Sequence, residues 1–199
     1  MAINRGTELA TIDVALVTVK TNDSEDELAL DTANQVQVTV NSETQDAIKL
    51  IIKGKLKAQK GEQITVTGNN IVLSDNVFNP ELVKILQGGV IEYAEDGKTF
   101  KKYTPPVAGG NVNSKPFTLN IYSAIYNAAA LVIGYEKITY PNCQGQPVAL
   151  GSEDGVFRVS EYTINSAPDT GEPPYVLEIV KTLPQVTEQV SMANTLALD

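Results

Sequence analysis

Ile12-Asp13-Val14-Ala15-Leu16-Val17-Thr18-Val19 is rich in β-branched residues and sets small or polar side chains between large apolar ones. That is the period of a strand with one face on a core. The same texture returns at residues 36–40, 48–52, 64–67 and 71–73, then at 90–93, 99–103, 117–126, 131–140, 156–164 and 175–180. About eleven strands in 199 residues predict a mainly β fold, an antiparallel β-sandwich or barrel. Lys60-Gly61, Gly68-Asn69-Asn70, Asp96-Gly97 and Asp154-Gly155 supply the turns, since glycine and Asx residues tolerate positive φ.

One stretch breaks the period. In Asn79-Pro80-Glu81-Leu82-Val83-Lys84-Ile85-Leu86-Gln87-Gly88-Gly89, Asn79 is a cap and Pro80 suits the first helical position. Glu81 meets the positive end of the helix dipole, and Gly88 can terminate in a left-handed conformation. The spacing predicts one short helix over 80–87, with Leu82, Val83, Ile85 and Leu86 as the stripe that covers the sheet.

Residues 22–26 and the Pro, Gly and Asn-rich 105–115 read as loops, and the latter lets its adjoining strands extend beyond the globule as a long hairpin. Residues 168–174 form a third rigid loop. The whole chain, 1–199, reads as one domain with a flexible N-terminal segment, the extended loop 105–115 and a C-terminal arm after Pro184. No repeat of 20–50 residues is evident, which argues against a solenoid or propeller. All twelve aromatics lie at or after Phe78, so the part from Phe78 to Tyr175 is expected to supply the tight packing, with the earlier strands laid against it.

Composition removes most chemistry. The chain has no histidine, no tryptophan and one cysteine, so it holds no Ser/His/Asp or Cys/His relay, no imidazole metal cage and no internal disulfide. Nothing at the start resembles a signal, and no apolar run approaches the roughly 18 residues that span a bilayer. The expectation is a chain without cofactor or metal, not an enzyme and not in a membrane.

The net charge is −9. Residues 1–50 carry nine acids and three bases and residues 151–199 eight and two, while 101–150 carry one acid and four bases. An acidic protein repels phosphate, which disfavours tight nucleic-acid binding. Lys53, Lys55, Lys57 and Lys60 are the exception: at strand period the first three share a face, either a basic stripe or a solvated face that guards an edge.

The remaining motifs read as turns or fillers. Asp169-Thr170-Gly171 matches the tripeptide of aspartic proteases but follows Ala167-Pro168 instead of an apolar strand. Gly97-Lys98-Thr99 lacks the earlier glycine of a phosphate-binding loop and precedes a strand. Asp23-Ser24-Glu25-Asp26-Glu27 lacks the ligand spacing of a calcium loop, and the sequon Asn22-Asp23-Ser24 is without an export signal. Cys143 has no histidine to activate it and is expected to be a small, partly buried filler.

Residues 68–81, Leu86-Gln87-Gly88-Gly89, Phe117-Thr118-Leu119-Asn120-Ile121-Tyr122, Lys137-Ile138-Thr139-Tyr140-Pro141-Asn142-Cys143 and residues 161–168 resemble, in order and texture, the tail tube (major tail) proteins of tailed bacteriophages of Gram-positive hosts. The resemblance covers roughly residues 60–180. It implies a β-sandwich or barrel flanked by a short helix, six copies closing into a ring, and rings stacking into a hollow tube in the virion tail. That tube conducts double-stranded DNA, or ions or effectors in a phage-like particle, and is assembled in the bacterial cytoplasm. Its partners would be other copies, the tape measure, baseplate or terminator proteins, and a sheath.

Pro105, Pro106, Gly109, Gly110, Asn111, Asn113 and Lys115, with the N-terminal segment, are then the expected contacts to neighbouring subunits or rings, and acids on the strands are expected to line the bore. The alternative is a β-sandwich carbohydrate-binding or adhesion module, with the eight tyrosines in place of tryptophan platforms.

Overall fold

The computed structural model describes residues 8–23, 27–110 and 114–186. The strands are β1 (Thr11–Thr21), β2 (Glu27–Leu30), β3 (Ala33–Gln45), β4 (Ile48–Ile52), β5 (Lys55–Lys60), β6 (Gln63–Asp75), β7 (Val90–Tyr93), β8 (Phe100–Thr104), β9 (Phe117–Tyr126), β10 (Val132–Gly145), β11 (Ser160–Ser166) and β12 (Val176–Val180). One helix, α1 (Pro80–Gln87), lies between β6 and β7. Every pairing is antiparallel. The main sheet runs β2-β1-β9-β10-β11-β6-β3 with β12 added to β10, and β4-β5 and β7-β8 are separate hairpins.

β10 turns this continuous ladder into two layers. Its first part pairs with β9 on one side and β12 on the other, and its last residues, Cys143 to Gly145, pair with β11. The bend sits at Pro141-Asn142, where the register to β9 slips between Tyr140 and Cys143 and Asn142 has φ of 46°. Proline cannot donate to a ladder and asparagine tolerates positive φ, so this dipeptide is where a strand can leave one sheet and join the next. The bend is tied down: Ser166 Oγ donates to the Pro141 carbonyl at 2.8 Å and Asn142 Nδ2 to the Ala167 carbonyl at 2.8 Å.

Between the layers lie Val17, Val19, Leu119 and Ile121 from one side and Ile71, Leu73, Tyr162 and Ile164 from the other. The β-sandwich expectation holds. The core does not follow the aromatic gradient along the chain, however: aliphatic residues of β1 and β6 are as buried as Phe117 and Tyr162, while Phe157 is 95% exposed. Packing is decided by which strands cross the centre, and β1 and β6 do.

The helix occupies residues 80–87 as expected. Asn79 Oδ1 accepts from the Leu82 N–H at 2.9 Å, and Leu82, Val83 and Leu86 are fully buried while Ile85 is half-buried against the same core. Gly88 has positive φ but an extended ψ of −154°, so the helix stops without a left-handed cap. A Cβ on Gly145 would stand 2.4 Å from the Cα of Leu86, so glycine at the end of β10 is what lets the helix backbone sit on the strand.

Several expected boundaries move. Residues 64–67 and 71–73 belong to one strand, β6, and Gly68-Asn69-Asn70 is no turn: all three pair with β3, and a register slip opposite Asn41 and Ser42 leaves Thr67, just before them, as the extra residue of a bulge. A Cβ at Gly68 would meet the Ser166 carbonyl at 2.2 Å, so the glycine marks close backbone approach there, not chain reversal. Residues 156–159 lie outside any strand, β11 beginning at Ser160, and β2 and β5 are additional strands.

The long hairpin is elsewhere than expected. Residues 105–110 are loop and turn, whereas β3 and β6 run past the last buried residues and β4-β5 continues between them. Every residue from Gln37 to Thr67 is exposed except half-buried Ala47. Alternating β-branched sequence reads alike whether its second face is covered or bare, and so periodicity could not tell this arm from a core strand.

Candidate functional site

The motifs singled out in the sequence fall in the core or in turns. Cys143 is fully buried, and burial pushes its thiol up from 9.0 to about 12, so it is no nucleophile near neutral pH. Asp169-Thr170-Gly171 is a turn, the Glu172 N–H donating to the Asp169 carbonyl at 3.0 Å. Asp96 Oδ1 accepts from the N–H groups of Lys98 and Thr99 at 2.9 and 2.8 Å, so Gly97-Lys98-Thr99 is the Asx-closed turn between β7 and β8. Those bonds, led by the Thr99 hydroxyl, hold the Asp96 carboxyl below its ordinary range. Asp23 is paired with Lys115 at 2.8 Å, while Ser24, Glu25 and Asp26 of the acidic stretch lie outside the described residues. Among the described residues no group of three acids or thiols is arranged to hold a metal ion.

What the fold does present is apolar strand surface left exposed. β12, Val176-Leu177-Glu178-Ile179-Val180, is an edge strand that among the described residues pairs on one side only, to β10. Val176, Leu177 and Ile179 are each about half exposed, and Leu131, Val132 and Ile133, at the end of β10 nearest Val180, are exposed as well. An edge with unpaired backbone groups and apolar residues on both faces is a template for another strand. Its single charge, Glu178, is engaged within the chain by Lys137 at 2.8 Å, a hydrogen bond that raises the Lys137 pKa. The charge therefore does not guard the edge. β3 is the other long edge, with β6 on one side of it.

The arm is the second surface. Ile48, Leu50, Ile51, Ile52 and Leu56 are all about half exposed or more, as are Ile64 and Val66 nearer the globule. Pairing places Ile48 beside Lys60 and Leu50 beside Ala58 on one face, where these residues line a shallow apolar depression. The lysine stripe is rearranged. Lys53, with φ of 51°, and Gly54, with φ of 74°, form the two-residue hairpin turn, and Lys57 is the extra residue of a bulge between Leu56 and Ala58. The strand period that would set the three on one face is thus broken, by the turn at Lys53 and the bulge at Lys57.

The expected contact residues fall into three groups. Pro105, Pro106, Gly109 and Gly110 lie together in the loop after β8, lining a shallow depression that Gln87 also borders. Lys115 is instead held within its own chain, through Asp23 and through its N–H, which donates to the Ile85 carbonyl at 3.3 Å. Asn111 and Asn113 lie outside the described residues, as do residues 1–7 and 187–199.

Sequence reading missed the two surfaces that stand out. For β12 the signal was present, because apolar residues at both parities mark a strand meant to be covered on both faces. For the arm the only signal was the lysine density.

No protein-family model matches the chain, and no curated protein matches it. Among solved structures the chain is similar to a chain of the anti-feeding prophage (AFP) baseplate, from a 6-fold symmetrised cryo-EM structure, with 10% identity and a TM-score of 0.38 over 91% of this chain and 100% of that one.

Proposed function

We propose that this chain is a structural subunit of a phage or phage-like tail, which self-assembles into hexameric rings stacked as a hollow tail tube for the passage of DNA. The observation that carries the reading is the amount of apolar strand left open, at the β12 edge and along the arm, in an otherwise well-packed sandwich. Such surface is a liability on a monomer and an interface in an assembly. The tail-tube resemblance of residues 60–180 supplies the ring and the tube.

Size and charge agree with the role. A 199-residue globule has a radius of gyration of about 16 Å and is on the order of 40 Å across, so six in a ring leave a hole about one subunit wide. At −9 per chain, carboxylates facing that hole repel phosphate and keep DNA from adhering. The subunit works by shape and edges, without catalysis or cofactor, alongside tape measure, baseplate or terminator proteins in the tail.

Negative-stain microscopy of the purified chain tests this. Rings or tubes are expected as concentration rises; a chain that stays monomeric when concentrated, and binds a glycan, overturns it.

A further inference from the structure

Residues 48–60 contain five lysines, Lys49, Lys53, Lys55, Lys57 and Lys60, and no acid, in a chain whose net charge is −9. Their aliphatic neighbours at the arm tip are exposed, and β4 and β5 pack on each other and on no other element to a comparable extent. A purely electrostatic partner, such as a nucleic-acid backbone, leaves those aliphatic side chains in water. The partner that satisfies both halves is acidic and apolar together.

The loop between β10 and β11 is a described segment with that composition. It carries Glu153 and Asp154 with no base from Gln146 to Phe157. Around the acids stand Leu150 at 57%, Val156 at 62% and Phe157 at 95% exposure, the last being the most open aromatic among the described residues. The loop is anchored at its root, where the Val148 N–H donates to Gln87 Oε1 at 2.7 Å and the Gln146 N–H to the Thr163 carbonyl at 2.9 Å. Arg158, the nearest cation in sequence, lies over the Phe78 ring at 4.7 Å. Among the described residues none of the five lysines and neither acid makes an ion pair within the chain.

We propose that the arm tip of one copy docks on the 150–157 loop of a second copy. Leu50 and its apolar neighbours cover Phe157, and the tip lysines face Glu153 and Asp154. The contact joins two different patches, so it is heterologous and propagates around a ring or along a stack. This rests on the self-assembly reading and names the surfaces it uses.

Two measurements on the full-length chain test it. In sedimentation velocity at low salt, Lys55→Glu with Lys57→Glu is expected to weaken self-association at least about tenfold, as does Glu153→Lys with Asp154→Lys, while the combined four-site variant regains association to within about threefold of the unsubstituted chain. Separately, chains carrying Leu50→Cys are mixed with tagged chains carrying Phe157→Cys and oxidised. A disulfide between the two chain types is expected, and neither variant alone should dimerise this way.

Tubes that form without that cross-link, and without charge-swap rescue, overturn the docking and leave the tube reading standing. A folded chain that never associates overturns both. Retention of the unsubstituted chain on vesicles of phosphatidylcholine with 30% phosphatidylserine, lost on lysine reversal and without the cross-link, overturns the docking in favour of a membrane surface.

Discussion

β6 passes through two environments. From Asn69 to Asp75 it lies between β11 and β3, and Ile71 and Leu73 are fully buried; from Gln63 to Val66 it has β3 alone, and Ile64 is 68% exposed. Both halves are β-branched and alternate, and both hold a regular ladder. Backbone pairing and propensity therefore suffice to shape a strand, whereas burial decides where folding energy resides. The globule is held by the inner half. The outer half and the hairpin it carries gain little within one chain, which is what an element kept for another copy looks like.

The largest contrast between the regions is at glycine. Gly145→Val drives a side chain into the Leu86 backbone, while nothing stands within 4 Å of a Cβ at Gly61 in the arm. We expect Gly145→Val to lose on the order of 5 kcal/mol and the chain to fail to fold in most preparations. Gly61→Val should unfold in urea at the same midpoint as the unsubstituted chain. A stable Gly145→Val protein would mean that α1 does not rest on β10.

Next in size is Leu73→Ala, which opens a cavity at a site with no exposure and should cost about 3 kcal/mol by urea denaturation. A loss below about 1 kcal/mol would place the core elsewhere.

How much of this could be read beforehand follows from where each feature is encoded. The helix at 80–87 was legible to the residue because Asn79 and Pro80 write its start locally. The sandwich was legible because alternation recurs. The arm was not, since exposure of 41–66 depends on what fails to pack there, and Pro105-Pro106 with Gly109-Gly110 gave the stronger local signal for an excursion. Gly68 and Gly145 were opaque for a related reason. Each is glycine because of a distant backbone, that of Ser166 or Leu86, and no window of sequence contains both partners.

The core also holds a buried thiol, Cys143. Cys143 ionises near 9.0 when unfolded and near 12 in the fold. Below pH 9 the thiol is protonated in both states and contributes nothing to pH dependence. Above it the unfolded chain sheds a proton that the folded chain retains, so stability falls as pH rises from 9 towards 12. The loss reaches about 2 kcal/mol by pH 10.5. Burial raises Tyr140 and Tyr162 in the same direction. Cys143→Ala should flatten the slope of stability against pH between 9 and 10.5 without abolishing it; an unchanged slope would show that the thiol is wet.

The smallest expected effect separates the regions most cleanly. Ile64→Ala sits nine residues before Leu73 on the same strand, where the side chain is 68% exposed. In a monomeric sample it should shift the unfolding free energy by less than about 0.5 kcal/mol, because a methyl-rich side chain already in water has little transfer energy to lose. If the arm is interface, the same substitution should still raise the concentration at which rings or tubes appear, since the apolar area is buried only between copies. A change in monomer stability with no change in assembly would reverse the assignment and make the arm part of the globule's own packing.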